Sequence, residues 1–180
     1  MCRDPAQNDE AAHGIDSLDH LIEHLRDVLV PTAVIVCVGN DLRSDDGAGV
    51  EVARRVADNV PWAVFDARTV PENYIQKIVD LRPDAVLLVD ALDFAADPGT
   101  IEIVEAERIA GQGPSTHGPA PLAFLDLLQM MHPCRCCVLG IQPATGELDQ
   151  PLSAPVADAV ERIVKALTIL ASKNRGLAGI

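Results

Sequence analysis

Residues 33–49 read Ala33-Val-Ile-Val-Cys-Val-Gly-Asn-Asp-Leu-Arg-Ser-Asp-Asp-Gly-Ala-Gly49. The run from Ala33 to Val38 is continuous, apolar and rich in β-branched residues. It is too short for a buried helix and has the length of a strand covered on both faces. A polar, glycine-punctuated turn follows, and Gly49 to Val56 then carries apolar residues at helical spacing. Strand, turn and helix in that order make up the repeating unit of an α/β fold.

Outward from this unit the same alternation continues. Trp62–Phe65 reads as a strand and Pro71–Leu81 as a helix opened by proline. Ala85–Val89 is a fully apolar strand, and Thr100–Val104 alternates as a one-faced or edge strand. Pro121–Met131 reads as a helix, Cys136–Ile141 as a strand and Pro155–Leu170 as a closing helix. These periods predict a layered α/β fold, with helices on both faces of a mostly parallel sheet. The link from Asp93 to Gly99 is too short for a crossover helix, so one antiparallel strand is expected.

Upstream, residues 1–15 are polar and read as a tail. Leu18–Val30 has helical spacing, with Ser17 as its N-cap. His20 and His24 share a face of that helix; such a pair is either a metal site or a solvated surface. Residues 1–30 are thus an N-terminal tail with an extra helix, and 31–180 form the main domain. That helix is expected either to pack on the domain or to bind a partner.

Composition narrows the function. The net charge of −13 disfavours a phosphate backbone, so no nucleic-acid partner is expected. The N-terminus lacks the basic start and apolar stretch of a signal peptide, and no apolar run approaches a membrane span. A cytoplasmic protein without a membrane partner is expected, with a monomer as the default. Aromatics make up 3% of the chain, which leaves the core to Val, Leu, Ile and Ala. Five cysteines, three of them in Cys134-Arg-Cys-Cys137, form neither an even disulfide set nor a C-x-x-C zinc spacing. Reduced thiols are expected, with Cys134 and Cys136 on one face of their strand and Cys137 on the other. Cys37, inside an apolar strand, is expected to be inert.

Ligands of parallel sheets gather at the carboxyl ends of the strands. The residues found there are Asp45 and Asp46, Asp66, and Asp90 with Asp93; His117 precedes a helix. One acid suffices to stabilise a helix N-terminus, so Asp45 is assigned a structural role and Asp46 a place in the cleft. Asp90 closes a buried strand, where a carboxylate must be hydrogen-bonded, paired or metal-bound. His117 in its small-residue loop is either simply exposed or the third member of the set. Two carboxylates and an imidazole suit zinc or nickel, and equally suit acid-base hydrolysis. The turn after Val38 lacks G-x-G-x-x-G and any Walker lysine, and its aspartates repel phosphate, which disfavours a nucleotide site.

Taken in order, Val38-Gly-Asn40, Ser44-Asp-Asp-Gly-Ala-Gly49, Thr69-Val-Pro-Glu-Asn73, Leu81-Arg-Pro83, Val89-Asp-Ala91, Asp93, Pro98-Gly99, Thr116-His117 and Leu139-Gly-Ile-Gln-Pro143 resemble the hydrogenase maturation endopeptidases. The likeness covers about residues 33–171, and is strongest to the type that processes the large subunit of hydrogenase 3. It implies a twisted five-stranded sheet between helices. It also implies an endopeptidase, aspartic or metal-assisted, that removes a C-terminal extension from the nickel-iron hydrogenase large-subunit precursor after nickel insertion. The family's metal-contacting positions correspond to Asp46, Asp90 and His117, which would be both catalytic and metal-binding. Nickel would arrive with the precursor, and no organic cofactor is implied. No Ser/His/Asp set or activated Cys/His pair is evident. The alternative is a non-catalytic metal- or partner-binding maturation chaperone on the same fold.

Overall fold

The structure is a computed structural model that describes residues 14–15, 17–110 and 120–177. Its elements are α1 (Leu18–Val28), β1 (Val34–Val38), α2 (Ala48–Val56), β2 (Ala63–Arg68), α3 (Ile75–Leu81), β3 (Ala85–Ala91), β4 (Ile101–Glu105), α4 (Ala106–Ala110), α5 (Ala120–Met131), β5 (Arg135–Ile141) and α6 (Ala154–Leu177). The strands form a five-stranded sheet in the order β2-β1-β3-β5-β4. All neighbours are parallel except β4 and β5, which gives the expected single antiparallel strand.

Strand alternation divides the core into two layers. Ile35, Cys37, Leu87, Val89, Cys137 and Leu139 face a cluster shared with α1, α2 and α6. Val34, Val36, Val86, Leu88, Cys136 and Val138 face a second cluster shared with α3 and α5. The central strands bury both faces, which is why they read as unbroken apolar runs. Cys136 and Cys137 lie on opposite faces, as the period of two requires.

The β3–β4 link crosses the carboxyl end of β5 instead of folding back on β3. Leu92 N donates to Ile141 O at 3.0 Å and Gly99 N to Gln142 O at 2.8 Å, while Gln142 N donates to Thr100 O at 2.9 Å. The antiparallel partner of β4 is therefore β5.

Several elements depart from their sequence expectation. Residues Ser44–Gly47 and Pro71–Tyr74 form 3-10 turns, so the proline-led segment becomes α-helical only at Ile75. β2 runs on to Arg68 because it is an edge strand whose outer residues tolerate water. α6 extends past Leu170, where Ala171 continues the buried stripe of Ile163 and Leu167. The five-residue α4 is too short to leave a period in the sequence.

α1 ends at Val28 and packs on the domain. Its Leu21, Ile22, Leu25 and Val28 are buried in the same cluster as Val160, Ile163 and Leu167 of α6. Ser17 caps it as expected, its hydroxyl accepting from His20 N at 3.2 Å. His20 and His24 are exposed, and His24 Nδ1 bonds the His20 carbonyl at 2.8 Å, as on a solvated helix face. Among the described residues no helix is long and apolar enough to cross a membrane.

Candidate functional site

The site is built where α2 meets the sheet. Gly49 sits so close to the strand ends that a Cβ there would lie 2.1 Å from Val38 O and 2.7 Å from Val89 O. Only glycine allows this approach, which sets the preceding Ser44–Gly47 turn over the carboxyl ends of β1 and β3. Gly39, at φ +139°, lets the chain leave β1 sharply, and Asn40 N then donates to Asp46 O at 2.9 Å. The turn is thereby held against the strand it follows.

The two adjacent aspartates divide into a structural and a cleft residue as expected, but Asp45 does its structural work without a side-chain cap on the helix. Asp45 is fully buried and acts as a clamp. Its Oδ2 accepts from Ala144 N at 2.8 Å, Thr145 N at 3.0 Å and Ser153 Oγ at 2.9 Å, and its Oδ1 from Ser153 N at 2.6 Å. These bonds fasten the turn to the segment between β5 and α6. Asp46 points the other way and lines an open cleft of about 380 Å³ with Arg43, Ala91, Asp93, Gln142 and residues 143–146.

Asp90 lies within β3, opposite Gly140 of β5, and is 6% exposed. Burial, reinforced by the negative charge of Asp46 and opposed by the Ala91 amide, pushes its carboxyl up to about 7. Asp46 is also raised, mainly by burial, with the Arg43 guanidinium and the Asn40 amide pulling it back. The structure thus brings Asp46 and Asp90 into electrostatic contact at one strand edge, although 44 positions separate them in the chain. Two acids so placed hold a proton near neutral pH more readily than two solvated ones.

His117, the third candidate, lies outside the described residues. Among the described residues, no group of three or more His, Cys, Asp or Glu side chains is arranged to hold a metal ion. Asp46 and Asp90 supply two carboxylates, a partial oxygen set that suits a divalent ion only when further ligands complete it.

The remaining strand-end acids part company. Asp93 reaches the cleft on the β3–β4 link, where the Ala95 amide and the Gln142 side chain hold its carboxyl below the usual range. Asp66 does not line the cleft; it stays on β2, with Oδ2 3.6 Å from Arg68 Nε and a buried Oδ1 that has no hydrogen-bond partner among the described residues. Cys37 is fully buried and its thiol is pushed up by desolvation and by Asp66, which leaves it inert.

Two residues of the site stand in quoted stretches of the sequence but received no role there. Gln142 is 6% exposed and accepts from Phe94 N at 2.9 Å and Ala96 N at 3.2 Å while donating to Asp93 Oδ1 at 3.1 Å. It fixes the link that carries Asp93. The available signal was an amide placed directly after an apolar strand, where it must be satisfied by neighbours. Arg43 gives the cleft its cation and reaches Gly146 O at 3.4 Å. Nothing in its local sequence marks it.

Comparison with known proteins agrees with this architecture. A family profile described as HycI, hydrogenase maturation protease, matches residues 48–169. Hydrogenase 3 maturation protease of Escherichia coli K12 is 37% identical over 138 residues, 76% of this chain and 88% of that protein. The crystal structure of a [NiFe] hydrogenase maturation protease HycI from Thermococcus kodakarensis superposes with a TM-score of 0.75 at 28% identity, covering 83% of this chain and 99% of that one. The solution structure of the E. coli endopeptidase HycI gives 0.66 at 36% identity, covering 76% and 88%. The chain belongs to the hydrogenase maturation protease family.

Proposed function

We propose that this protein is an endopeptidase that removes the C-terminal extension of a nickel-iron hydrogenase large-subunit precursor once nickel has been inserted. The observation that carries the reading is the Asp46–Asp90 pair: Asp46 lines the open cleft, and Asp90, buried beside it and next to the cleft-lining Ala91, feels its charge and is raised to about 7. The names of the relatives, a hydrogenase 3 maturation protease and an endopeptidase, support the same activity.

In this reading Asp46, Asp90 and His117 contact the nickel carried on the precursor's cysteines. Nickel is part of the substrate, and no organic cofactor takes part. The contact orients the scissile bond beside the carboxylates and converts an encounter into a positioned reaction. A water held between the acids then attacks the peptide carbonyl. The ionised acid takes the water's proton and the protonated acid delivers one to the leaving amine. The alternative is polarisation of the carbonyl by the metal. Arg43 and Asp93 line the cleft, and in this reading they bind the polar backbone of the extension. The reaction is assigned to the cytoplasm and to a monomer.

The test is incubation with nickel-loaded precursor, followed by mass spectrometry of its C-terminus. Asp46→Asn, Asp90→Asn and His117→Ala are each expected to abolish the mass loss while leaving the circular dichroism spectrum unchanged. Nickel-free precursor is expected to stay whole. Full cleavage by Asp90→Asn would remove the proposal. Tight binding of the precursor by the wild-type protein without any cleavage would favour a maturation chaperone instead.

A further inference from the structure

At the opposite end of the sheet, away from the aspartates, β5 begins with a group of thiols that the peptidase reading does not use. Cys134 precedes the strand and is half-buried, while Cys136 is fully buried. Their Sγ atoms lie 3.9 Å apart on the face that packs against α3 and α5. Cys137 turns to the other face and donates its S–H to Glu105 Oε2 at 3.3 Å. Cys37 is sealed inside β1. Among the described residues, therefore, two thiols are isolated and two face each other, and one of the facing pair reaches the surface.

We propose that Cys134 and Cys136 form a redox-active pair that exchanges with low-molecular-weight disulfides of the glutathione class, Cys134 being the attacking sulfur and Cys136 the resolving one. The Cys134 thiolate attacks one sulfur of the small disulfide, forms a mixed disulfide and expels one thiolate. Cys136 then passes its proton to the small thiolate just expelled and attacks Cys134 Sγ, closing the protein disulfide and expelling the second small thiolate, which is protonated from water. Two protein thiols are oxidised and one small disulfide is reduced to two thiols.

The surroundings suit each role. Either sulfur can donate in the bond between Cys134 and Cys136; with the proton on Cys136, this bond and the nearby His132, opposing burial and Asp84, bring Cys134 down to about 7. The same bond, with burial and the charges of Glu107 and the other thiols, pushes Cys136 up, so the pair keeps one proton on the inner sulfur. Two residues of extended chain span about 6.6–6.8 Å, the upper edge of the Cα separation that a disulfide accepts. Closure therefore draws Cys134 inward, and it stands outside the β5 ladder, so no sheet hydrogen bond is broken. A bond closed under such strain is readily reduced again, as befits a reversible site.

The test is peptide-resolved mass spectrometry of the folded full-length protein after equilibration with oxidised glutathione. The peptide containing Cys134 and Cys136 is expected to lose two hydrogens and to regain them with dithiothreitol. Cys37 and Cys137 should stay reduced. Native-state alkylation should label Cys134 at least about tenfold faster than either isolated thiol. Cys136→Ser should accumulate glutathione on Cys134, and Cys134→Ser should leave the peptide unmodified. Should Cys136→Ser fail to fold, the wild-type mapping and the Cys134→Ser variant, at the half-buried position, decide. The proposal is overturned if Cys134 stays reduced in the folded wild-type protein, or if its mixed disulfide persists without closing onto Cys136.

Discussion

A carboxyl group that holds its proton to about pH 7 in the folded state changes stability as well as chemistry, and Asp90 is such a group. An unfolded aspartate titrates near ~3.9. Between that value and about 7 the folded protein binds more protons than the unfolded chain, so Asp90 makes stability fall as pH rises. Its contribution is fully present below the unfolded value and is lost once the folded carboxyl ionises. Asp90→Asn, which imitates the protonated acid, is expected to match the wild type near pH 4 and to exceed it by a few kcal/mol near pH 8. Urea unfolding at the two pH values measures the difference, and an Asn variant less stable at high pH would show that Asp90 is held as a stabilised anion. Gln142 poses the opposite case. Gln142→Leu strips acceptors from Phe94 N and Ala96 N and a donor from Asp93. It should cost about 1–3 kcal/mol and weaken cleavage through a misplaced Asp93, seen as a larger rise in KM than fall in kcat.

At the scale of elements, the junction of β1 and α2 depends on residues that touch no ligand. Gly49→Ala drives a methyl into the carbonyls of Val38 and Val89, both part of the backbone and unable to swing aside. The helix must lift off the strand ends, carrying Asp46 with it. We expect a loss of at least about 1–3 kcal/mol and near-complete loss of processing, whereas Ala at the exposed Gly146, where nothing among the described residues lies within 4 Å, should leave stability unchanged. This junction is also where the sequence was most legible. Unbroken apolar runs declared strands buried on both faces, and the paired aspartates with Gly47 and Gly49 declared a turn brought close to something. The short Asp93–Gly99 link gave the antiparallel strand by exclusion, since no helix fits within it. The choice of β5 as its partner was not legible, because it rests on Gln142 hydrogen bonds between segments more than 40 residues apart. Asp66 misled for a related reason: position at a strand end does not say whether that strand is central or an edge. Arg43 has no local signature at all, and becomes part of the site only through the cleft geometry.

At the scale of the whole molecule, the N-terminal helix decides how the chain should be divided. The family resemblance begins near residue 33, which sets α1 apart by sequence. Packing does not set it apart: Leu25 is fully buried between α1 and the α6 stripe, within the cluster that also holds Leu87 and Val89 of the central strand. A helix of 11 residues is marginal alone in water, so the stability of α1 must come from that shared core. If so, α1 cannot unfold without exposing α6, and α6 in turn covers the sheet beneath the Asp45 clamp. Leu25→Ala is then expected to lower global stability by about 2–5 kcal/mol while preserving a single transition, with tryptophan fluorescence and circular dichroism midpoints moving together. Trp62 is a fitting reporter, because its Nε1 donates to Val30 O at 3.0 Å and links β2 to the end of the α1 segment. An independently attached helix would behave otherwise: its signal would melt first, the main transition would keep its midpoint, and cleavage of the precursor would survive removal of residues 1–30. For the integrated core, that truncation should yield a protein with exposed apolar surface that binds hydrophobic dyes and loses activity together with solubility.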